Sequence, residues 1–204
     1  IPEPYMIRFG FSRRVKGPSR DEVAGVLEML GNNSIVLVGL MGCGKSAIGR
    51  RLAACLKLPF VDADDEIEKA AGKSISEIFE DHGEAEFRDG ERKVIARLLS
   101  GGPQVLATGG GAFMDATTRA RVAEHGVSVW LRAELPVLMR RVSRRDNRPL
   151  LKTGKPAAVM AKLMEERYPT YAKADIVAES RDVPHEQIVS EIVAKLNNLP
   201  PRNV

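Results

Sequence analysis

The sequence predicts an α/β fold in which helices cover both faces of a parallel sheet. Its 204 residues are enough for one domain with a continuous core. Stretches with the composition of helices alternate with short apolar, β-branched runs. A glycine-rich loop of the pattern G-x-x-x-x-G-K-S joins the first run, 34–38, to the next helical stretch. Phosphate-binding loops occupy this strand-to-helix position.

The strands and helices can be placed in order along the chain. Asp21 is expected to cap a short first helix, in which Val26 and Leu30 share one face and which Gly31 ends. Ser74 and Glu77 form a capping-box pattern, which predicts a helix start at this point. The predicted strands are 34–38, 58–62, 104–108, 127–131 and 174–178. The predicted helices after the first are 45–57, 64–71, 75–82, 84–99, 115–125, 134–145, 157–171 and 184–197.

The chain divides into three predicted segments. Residues 1–31 are a basic N-terminal extension that ends in the short helix, residues 32–197 are the domain, and residues 198–204 are a C-terminal tail. Within the domain, residues 144–157 are rich in charge and contain glycine and proline, which indicates an exposed loop. In an enzyme that transfers phosphoryl groups, such a loop is expected to act as a lid. The Arg- and Ser-bearing start also resembles an organelle transit peptide, but it lacks a clear amphipathic helix.

The net positive charge comes entirely from the first 20 residues. Five basic residues and one acidic residue lie there, and this excess equals the net charge of +4 of the whole chain. A basic surface across the domain, and hence nucleic-acid binding, is therefore not expected. No apolar stretch has the length of a membrane span, and no secretory signal is evident. We expect a cytoplasmic protein, in which Cys43 and Cys55 are free thiols. The three histidines lack ligand spacing and are expected at surface or cap positions.

The glycine-rich loop is a candidate nucleotide site. Gly42 and Gly44 allow the backbone to approach an anion closely. Lys45 is predicted to reach the β- and γ-phosphates, and the Ser46 hydroxyl is predicted to ligate magnesium. The alternative for the loop is a glycine-rich turn that binds no ligand. Cys43 could be a reactive thiol, since a helix N-terminus favours the thiolate, or it could serve only as a small residue. The candidate nucleotide-binding residues of the loop are Gly42, Cys43, Gly44, Lys45, Ser46 and Ala47.

Two carboxylates directly follow the second predicted strand. If the strand geometry continues through Asp62 and Asp64, both side chains lie on one side, above the carboxyl ends of the strands. One carboxylate could complete the shell of a magnesium ion, and the other could orient or deprotonate an attacking hydroxyl. The alternative is that Asp64 only caps the helix that starts at Asp65.

Four further features could bind a substrate. Glu91 lies three residues after Arg88 on one helix, where it could hold the guanidinium for a substrate carboxylate or form only a solvated ion pair. Arg148, in the predicted lid, could contact the transferring phosphoryl group. Arg167 lies near the end of a predicted helix. The run Gly109–Gly111 could let a ligand lie on backbone amides or could form only a structural turn.

Together, in their order and spacing, these motifs resemble those of the shikimate kinase family over about residues 32–197. They are G-x-x-G-x-G-K-S, Asp-x-Asp, Phe-Arg-x-x-Glu, Gly-Gly-Gly, Arg-Pro-Leu-Leu and Arg-x-x-x-Tyr. The resemblance implies a P-loop NTPase of the nucleoside-monophosphate-kinase-like type, with three α/β/α layers and a five-stranded parallel sheet. It also implies ATP-dependent phosphorylation of the 3-hydroxyl of shikimate, in the biosynthesis of chorismate and the aromatic amino acids.

The resemblance further implies roles for individual residues. Lys45 and Ser46 match the residues that contact the γ-phosphate and one magnesium ion, and Asp62 matches the carboxylate that binds this ion through water. Asp64 matches the carboxylate that holds and activates the substrate hydroxyl. The remaining matches are Arg88 and Arg167 for the shikimate carboxylate, Gly109, Gly110 and Gly111 for the substrate, Arg148 for the lid and Arg141 for adenine.

Two other functions remain open at the level of sequence. A gluconate kinase of the same fold would also bind a carboxylate and hydroxyls, although the spacing around Arg88 and Arg148 favours shikimate. A catalytically silent binding protein is a second alternative, but it would not need Lys45, Asp64 and Arg148 together. We expect a monomer that binds ATP and shikimate and has no nucleic-acid or membrane partner. Cys43, Gly90 and Asp182 depart from the family's usual pattern.

Overall fold

In a computed structural model of the chain, residues 17–143 and 155–201 are described. Five parallel strands form one sheet in the order β2-β3-β1-β4-β5. The expected α/β class and five-stranded parallel sheet are thereby confirmed. The strands are β1 Ser34–Val38, β2 Phe60–Asp62, β3 Val105–Ala107, β4 Gly126–Arg132 and β5 Ile176–Glu179.

The helices surround the sheet in two groups. Helices α1, α2 and α8 contact one another, whereas α4 contacts α3 and α5. A short 3₁₀ turn, Ala112–Met114, follows β3 and has no counterpart among the predicted elements. The helices are α1 Arg20–Leu30, α2 Lys45–Leu56, α3 Ala63–Ala71, α4 Ile75–Leu99, α5 Ala116–His125, α6 Leu135–Val142, α7 Pro156–Tyr171 and α8 His185–Asn197.

The central strand β1 is buried along its whole length, as expected for a strand with neighbours on both sides and helices on both faces. The register aligns Leu37 of β1 and Asp62 of β2 with Ala107 of β3. The carboxyl ends of these three strands therefore lie side by side. The segments that follow them, which begin at Gly39, Ala63 and Thr108, leave the sheet at one edge, where ligands bind in open parallel sheets.

Some local predictions differ from the structure. Ser19, and not Asp21, caps α1, because the Ser19 hydroxyl accepts from the Glu22 amide and the Glu22 carboxylate accepts from the Ser19 amide. Asp21 lies instead in the first turn of the helix. The second strand starts at Phe60, later than the predicted residue 58. The helices predicted over 75–82 and 84–99 do lie on either side of Gly83, whose non-helical φ and ψ angles form a kink inside α4.

The described residues include no helix long and apolar enough to cross a membrane. The predicted lid, 144–157, lies outside the described residues apart from its last three positions, and Arg148 lies outside them as well. Helix α1 precedes the predicted start of the domain, and its Val26, Met29 and Leu30 are buried in the core that contains the sheet.

Candidate active site

The glycine-rich loop closes around its own lysine. Gly42 and Gly44 have positive φ angles of 80° and 96°, which residues with a Cβ rarely adopt. Lys45 begins α2, and its Nζ donates to the carbonyl oxygens of Gly39 at 2.6 Å and Leu40 at 3.1 Å. The amino group is thus held inside the loop, while the free amides at the start of α2 provide an anion-binding helix end.

Ser46 and Asp62 meet across the carboxyl ends of two strands. The Ser46 hydroxyl donates to Oδ2 of Asp62 at 2.8 Å, although the residues are 16 positions apart. Oδ1 of Asp62 accepts from the Asp64 amide at 3.2 Å, so Asp62 is the N-cap of α3. The alternative in which Asp64 caps the helix is therefore wrong, and so is the continued strand geometry, because Asp64 lies in the first helical turn.

Asp64 is an unusually weak acid for a carboxyl group. The pKa of Asp64 is raised to about 6, mainly by burial and next by the negative charge of Asp62, whereas Lys45 acts in the opposite direction. Glu91 also contributes to the higher pKa. A carboxyl group with this pKa can accept a proton close to neutral pH.

These side chains line a cavity of about 430 Å³ beside the loop. The loop, the start of α3 and the end of β3 form its walls, and Arg141 of α6 and His185 of α8 also reach it. The lining includes Gly42, Gly44, Lys45, Ser46, Ala47, Asp62, Asp64, Gly110, Arg141 and His185. We name it the loop cavity.

Arg88 is held by a carboxylate that is itself buried. Its Nη1 donates to Oε2 of Glu91 at 2.8 Å, and the Glu91 side chain is only 4% exposed, against 29% for Arg88. The alternative of a solvated ion pair is therefore wrong, because a solvated pair would leave both side chains in water. Glu84 contacts the same guanidinium at 3.4 Å.

The three glycines after β3 allow charged side chains to approach the backbone. A Cβ at Gly109 would lie 2.9 Å from Oδ1 of Asp64 and from Oε1 of Glu91. A Cβ at Gly111 would lie 2.6 Å from the Arg88 guanidinium. These distances are too short for real contacts, so a side chain at either position would displace the charged groups.

A second cavity, of about 290 Å³, lies beside the glycines. The Gly110 carbonyl accepts from Nη1 of Arg167 at 3.1 Å and from the Tyr171 hydroxyl. Because Gly110 lines the loop cavity and Arg167 lines the second cavity, the two spaces adjoin at the glycines. The second cavity, which we name the arginine cavity, is lined by Glu84, Arg88, Glu91, Arg92, Gly111, Met114, Asp115 and Arg167.

Arg141 lines the loop cavity and is bonded to the segment that follows β5. Its Nη1 donates to the Ser180 hydroxyl at 2.8 Å, and its Nη2 donates to the Arg181 carbonyl at 2.9 Å. Burial lowers the pKa of Arg141. Asp182 lies 3.6 Å from the same guanidinium and contacts Arg140 more closely.

Sequence reasoning missed His185 and Ser180 in this region, and it gave no role to Tyr171, the tyrosine of the Arg-x-x-x-Tyr motif. His185, expected at a surface or cap position, starts α8 and lines the loop cavity, and burial lowers its pKa. The Tyr171 hydroxyl and Ser180 join segments far apart in the chain. A motif could have indicated only Tyr171, through the spacing Arg-x-x-x-Tyr. Cys43 is buried, and its Sγ lies 3.7 Å from Nζ of Lys45.

The residues present suit a cation that is bound mainly through a nucleotide. Among the described residues, no group of three or more His, Cys, Asp or Glu side chains could hold a metal ion by itself. Ser46 and Asp62 together present hydroxyl and carboxylate oxygens at one point. A small hard cation takes such oxygen ligands and completes its shell with water and substrate phosphates.

The sequence and fold match those of known proteins. A family model described as shikimate kinase matches residues 41–197. A shikimate kinase of Bradyrhizobium diazoefficiens is 62% identical over 173 residues, which cover 85% of this chain and 84% of that protein. The solved shikimate kinase of Acinetobacter baumannii in complex with shikimate has a TM-score of 0.76 and 35% identity, over 84% of this chain and 96% of that one.

Comparison with a gluconokinase addresses the alternative within the same fold. The gluconokinase of Sinorhizobium meliloti superposes with a TM-score of 0.53 over 81% of this chain and 91% of that one, at 21% identity. This likeness extends to the fold alone. The high sequence identity to shikimate kinases agrees with the order of the motifs along the chain and with the adjoining loop and arginine cavities. The chain therefore belongs to the shikimate kinase family.

Proposed function

We propose that the chain transfers the γ-phosphoryl group of ATP to the 3-hydroxyl of shikimate, which gives shikimate 3-phosphate and ADP. One observation carries the proposal at the level of the site. A phosphate-binding loop and a pair of arginines line two adjoining cavities, and the carboxyl group of Asp64 lies close to the glycines where they meet. Such an arrangement can align a phosphoryl donor with an acceptor that carries a carboxylate.

The loop cavity is the proposed ATP site. The amides of residues 42–47 and the Lys45 amino group face the phosphates, and Arg141 lies where it can contact the adenine base. Ser46 and Asp62 are the proposed protein contacts of one Mg²⁺ ion, which neutralises phosphate charge when it is bound. Arg148 is proposed to approach the transferring group from the lid; it lies outside the described residues.

The arginine cavity is the proposed shikimate site. Arg88, held by Glu91, and Arg167, held against the Gly110 carbonyl, present guanidinium groups that bind a carboxylate through two parallel hydrogen bonds. The absence of side chains at Gly109–Gly111 keeps room for the ring beside the backbone.

Asp64 is the proposed base for the acceptor hydroxyl. It lies within the loop cavity near Gly109 and, through Gly109, close to Glu91 of the arginine cavity. In its ionised form it can accept the hydroxyl proton as the oxygen attacks the γ-phosphorus. We propose a monomeric enzyme. Its free Cys43 and Cys55 suit the reducing cytoplasm.

The test is an assay of ADP release with ATP and Mg²⁺ in the presence of shikimate, gluconate or no acceptor. We expect turnover with shikimate alone, since two arginines and one carboxylate match its carboxyl group and reacting hydroxyl. Asp64→Asn is the matched control, because it should bind ATP normally and turn over slowly. Equal turnover with gluconate, or no turnover by protein that binds ATP, would contradict the proposal.

A further inference from the structure

Ser180 is a buried polar residue at the nucleotide end of the site, and no motif includes it. It directly follows β5, and its amide donates to the Arg132 carbonyl at 2.6 Å, which extends the pairing with β4 beyond the strand. Only 2% of Ser180 is exposed. Its backbone is therefore fixed to the sheet, so its hydroxyl occupies a defined position.

The Ser180 hydroxyl bonds to the phosphate-binding loop. It donates to the Cys43 carbonyl at 2.6 Å, across 137 positions of the chain. A Cβ at Gly44 would lie 3.8 Å from the same hydroxyl oxygen. Ser180 is thus in contact with the turn where the loop passes into α2.

This bond sets the direction of a neighbouring amide. The Cys43 carbonyl and the Gly44 amide belong to one planar, trans peptide unit, so they point in opposite directions. When Ser180 holds the carbonyl, it directs the Gly44 N–H to the other side of the unit. Gly44 lines the loop cavity, and an amide directed into that cavity can donate to a phosphate oxygen.

The same hydroxyl also fixes Arg141. It accepts from Nη1 of Arg141 at 2.8 Å, whereas the distance from this nitrogen to the Cys43 carbonyl is 3.5 Å. One hydroxyl therefore donates to the loop and accepts from the arginine that shares the loop cavity. Without this hydroxyl, the contact at 3.5 Å with Arg141 would be the one side-chain contact left to the Cys43 carbonyl among the residues that the structure describes.

We propose that Ser180 is a positioning residue for the nucleotide. Its hydroxyl holds the Cys43–Gly44 peptide unit and the Arg141 guanidinium in the arrangement that receives ATP or ADP. The inference rests on the proposed function in assigning the loop cavity to ATP. Ser180 does not line the arginine cavity, so its effect is confined to the nucleotide side.

The variant Ser180→Ala tests this assignment by calorimetric titration with ADP and by steady-state kinetics. We expect the Kd for ADP and the KM for ATP to rise about tenfold, as for the loss of one well-formed hydrogen bond. The KM for shikimate and the kcat at saturating ATP should stay within about twofold. Because ADP binding needs no acceptor, its titration remains informative even if shikimate is not the substrate.

Ser34→Ala is the matched control. The Ser34 hydroxyl is also buried and donates to a distant backbone carbonyl, that of Gly102 at 3.0 Å, but at the opposite end of β1. The Ser34→Ala variant should have a lower melting temperature and an unchanged affinity for ADP. If Ser180→Ala does not fold, Ser180→Cys, which keeps the volume and donates weakly, carries the same expectation. An unchanged affinity for ADP, or an equal rise in the KM for shikimate, would overturn the assignment.

Discussion

The chemistry of the site depends on where the side chain of Asp64 lies. The charged form of a carboxyl group is less stable out of water, and nearby Asp62 and Glu91 oppose a further negative charge. The pKa of about 6 exceeds that of the unfolded chain, so Asp64 contributes stability at low pH that is lost as the pH rises through 6. Catalysis needs the opposite, ionised form.

We expect a carboxyl resonance with a pKa of about 6 in the ¹³C NMR spectrum of the nucleotide-free protein. This resonance should be missing from the spectrum of the Asp64→Asn variant, and its loss assigns the resonance to Asp64. Glu91→Gln should move the titration midpoint of Asp64 to lower pH, because it removes a negative charge that raises the pKa of Asp64. In Asp64→Asn, turnover should fall by about 10²- to 10⁴-fold while ATP binding persists. A midpoint near 4 in the wild type would refute the burial argument.

Helix α4 shows how one residue divides an element. Gly83 has φ 79° and ψ 177°, a conformation that is essentially restricted to glycine. The sequence pattern predicted separate helices on either side of this position, and the structure has a kink there. The kink allows the second part of the helix, with Arg88 and Glu91, to take a direction that differs from that of the first.

Two glycines of α4 should respond to alanine with opposite signs. Gly83→Ala should destabilise the fold by about 1–3 kcal/mol, because nothing lies near the new Cβ and only the backbone is strained. Gly90→Ala also meets open space, but in a regular helical turn, so it should stabilise by about 0.5–1 kcal/mol. Urea denaturation measures both. A stabilising Gly83→Ala would contradict the assigned kink.

At the scale of the whole molecule, α1 belongs to the core although it precedes the matched family region, 41–197. Leu30 is completely buried, and Asn197 of α8 donates to the Glu22 carbonyl at 2.8 Å. Helix α8 approaches Gly25 closely, since a Cβ there would lie 2.2 Å from Oδ1 of Asn197 and would force that side chain to move. The first and last helices thus stabilise each other.

Truncation of Leu30 tests this contribution. Leu30→Ala should lower the free energy of unfolding by about 2–5 kcal/mol, through lost burial and the cavity that it leaves. Leu27→Ala, on the same helix but 37% exposed, should change it by less than about 0.5 kcal/mol. Thermal unfolding followed by circular dichroism compares the two variants. Equal effects would show that α1 does not pack as described.

Much of the site was predictable because its parts are short and continuous. The phosphate-binding loop lies within eight residues, and the five strands are apolar runs with distinct ends. The Asp62–Asp64 pair was correctly singled out as two carboxylates near the loop, but for the wrong local reason. Helix α3 starts one residue after Asp62, and the sequence pattern of Asp-Ala-Asp fits a strand as well as a helix cap.

By itself, the sequence determined the α/β class, the loop and the order of the motifs, since these depend on local conformation and on hydrophobic periodicity. Only the tertiary structure decided which motifs meet. The strand order places β1 between β3 and β4, burial weakens the acidity of Asp64, and Ser180 bonds Cys43 across 137 positions. Such contacts form between residues far apart in the chain, so no local pattern encodes them.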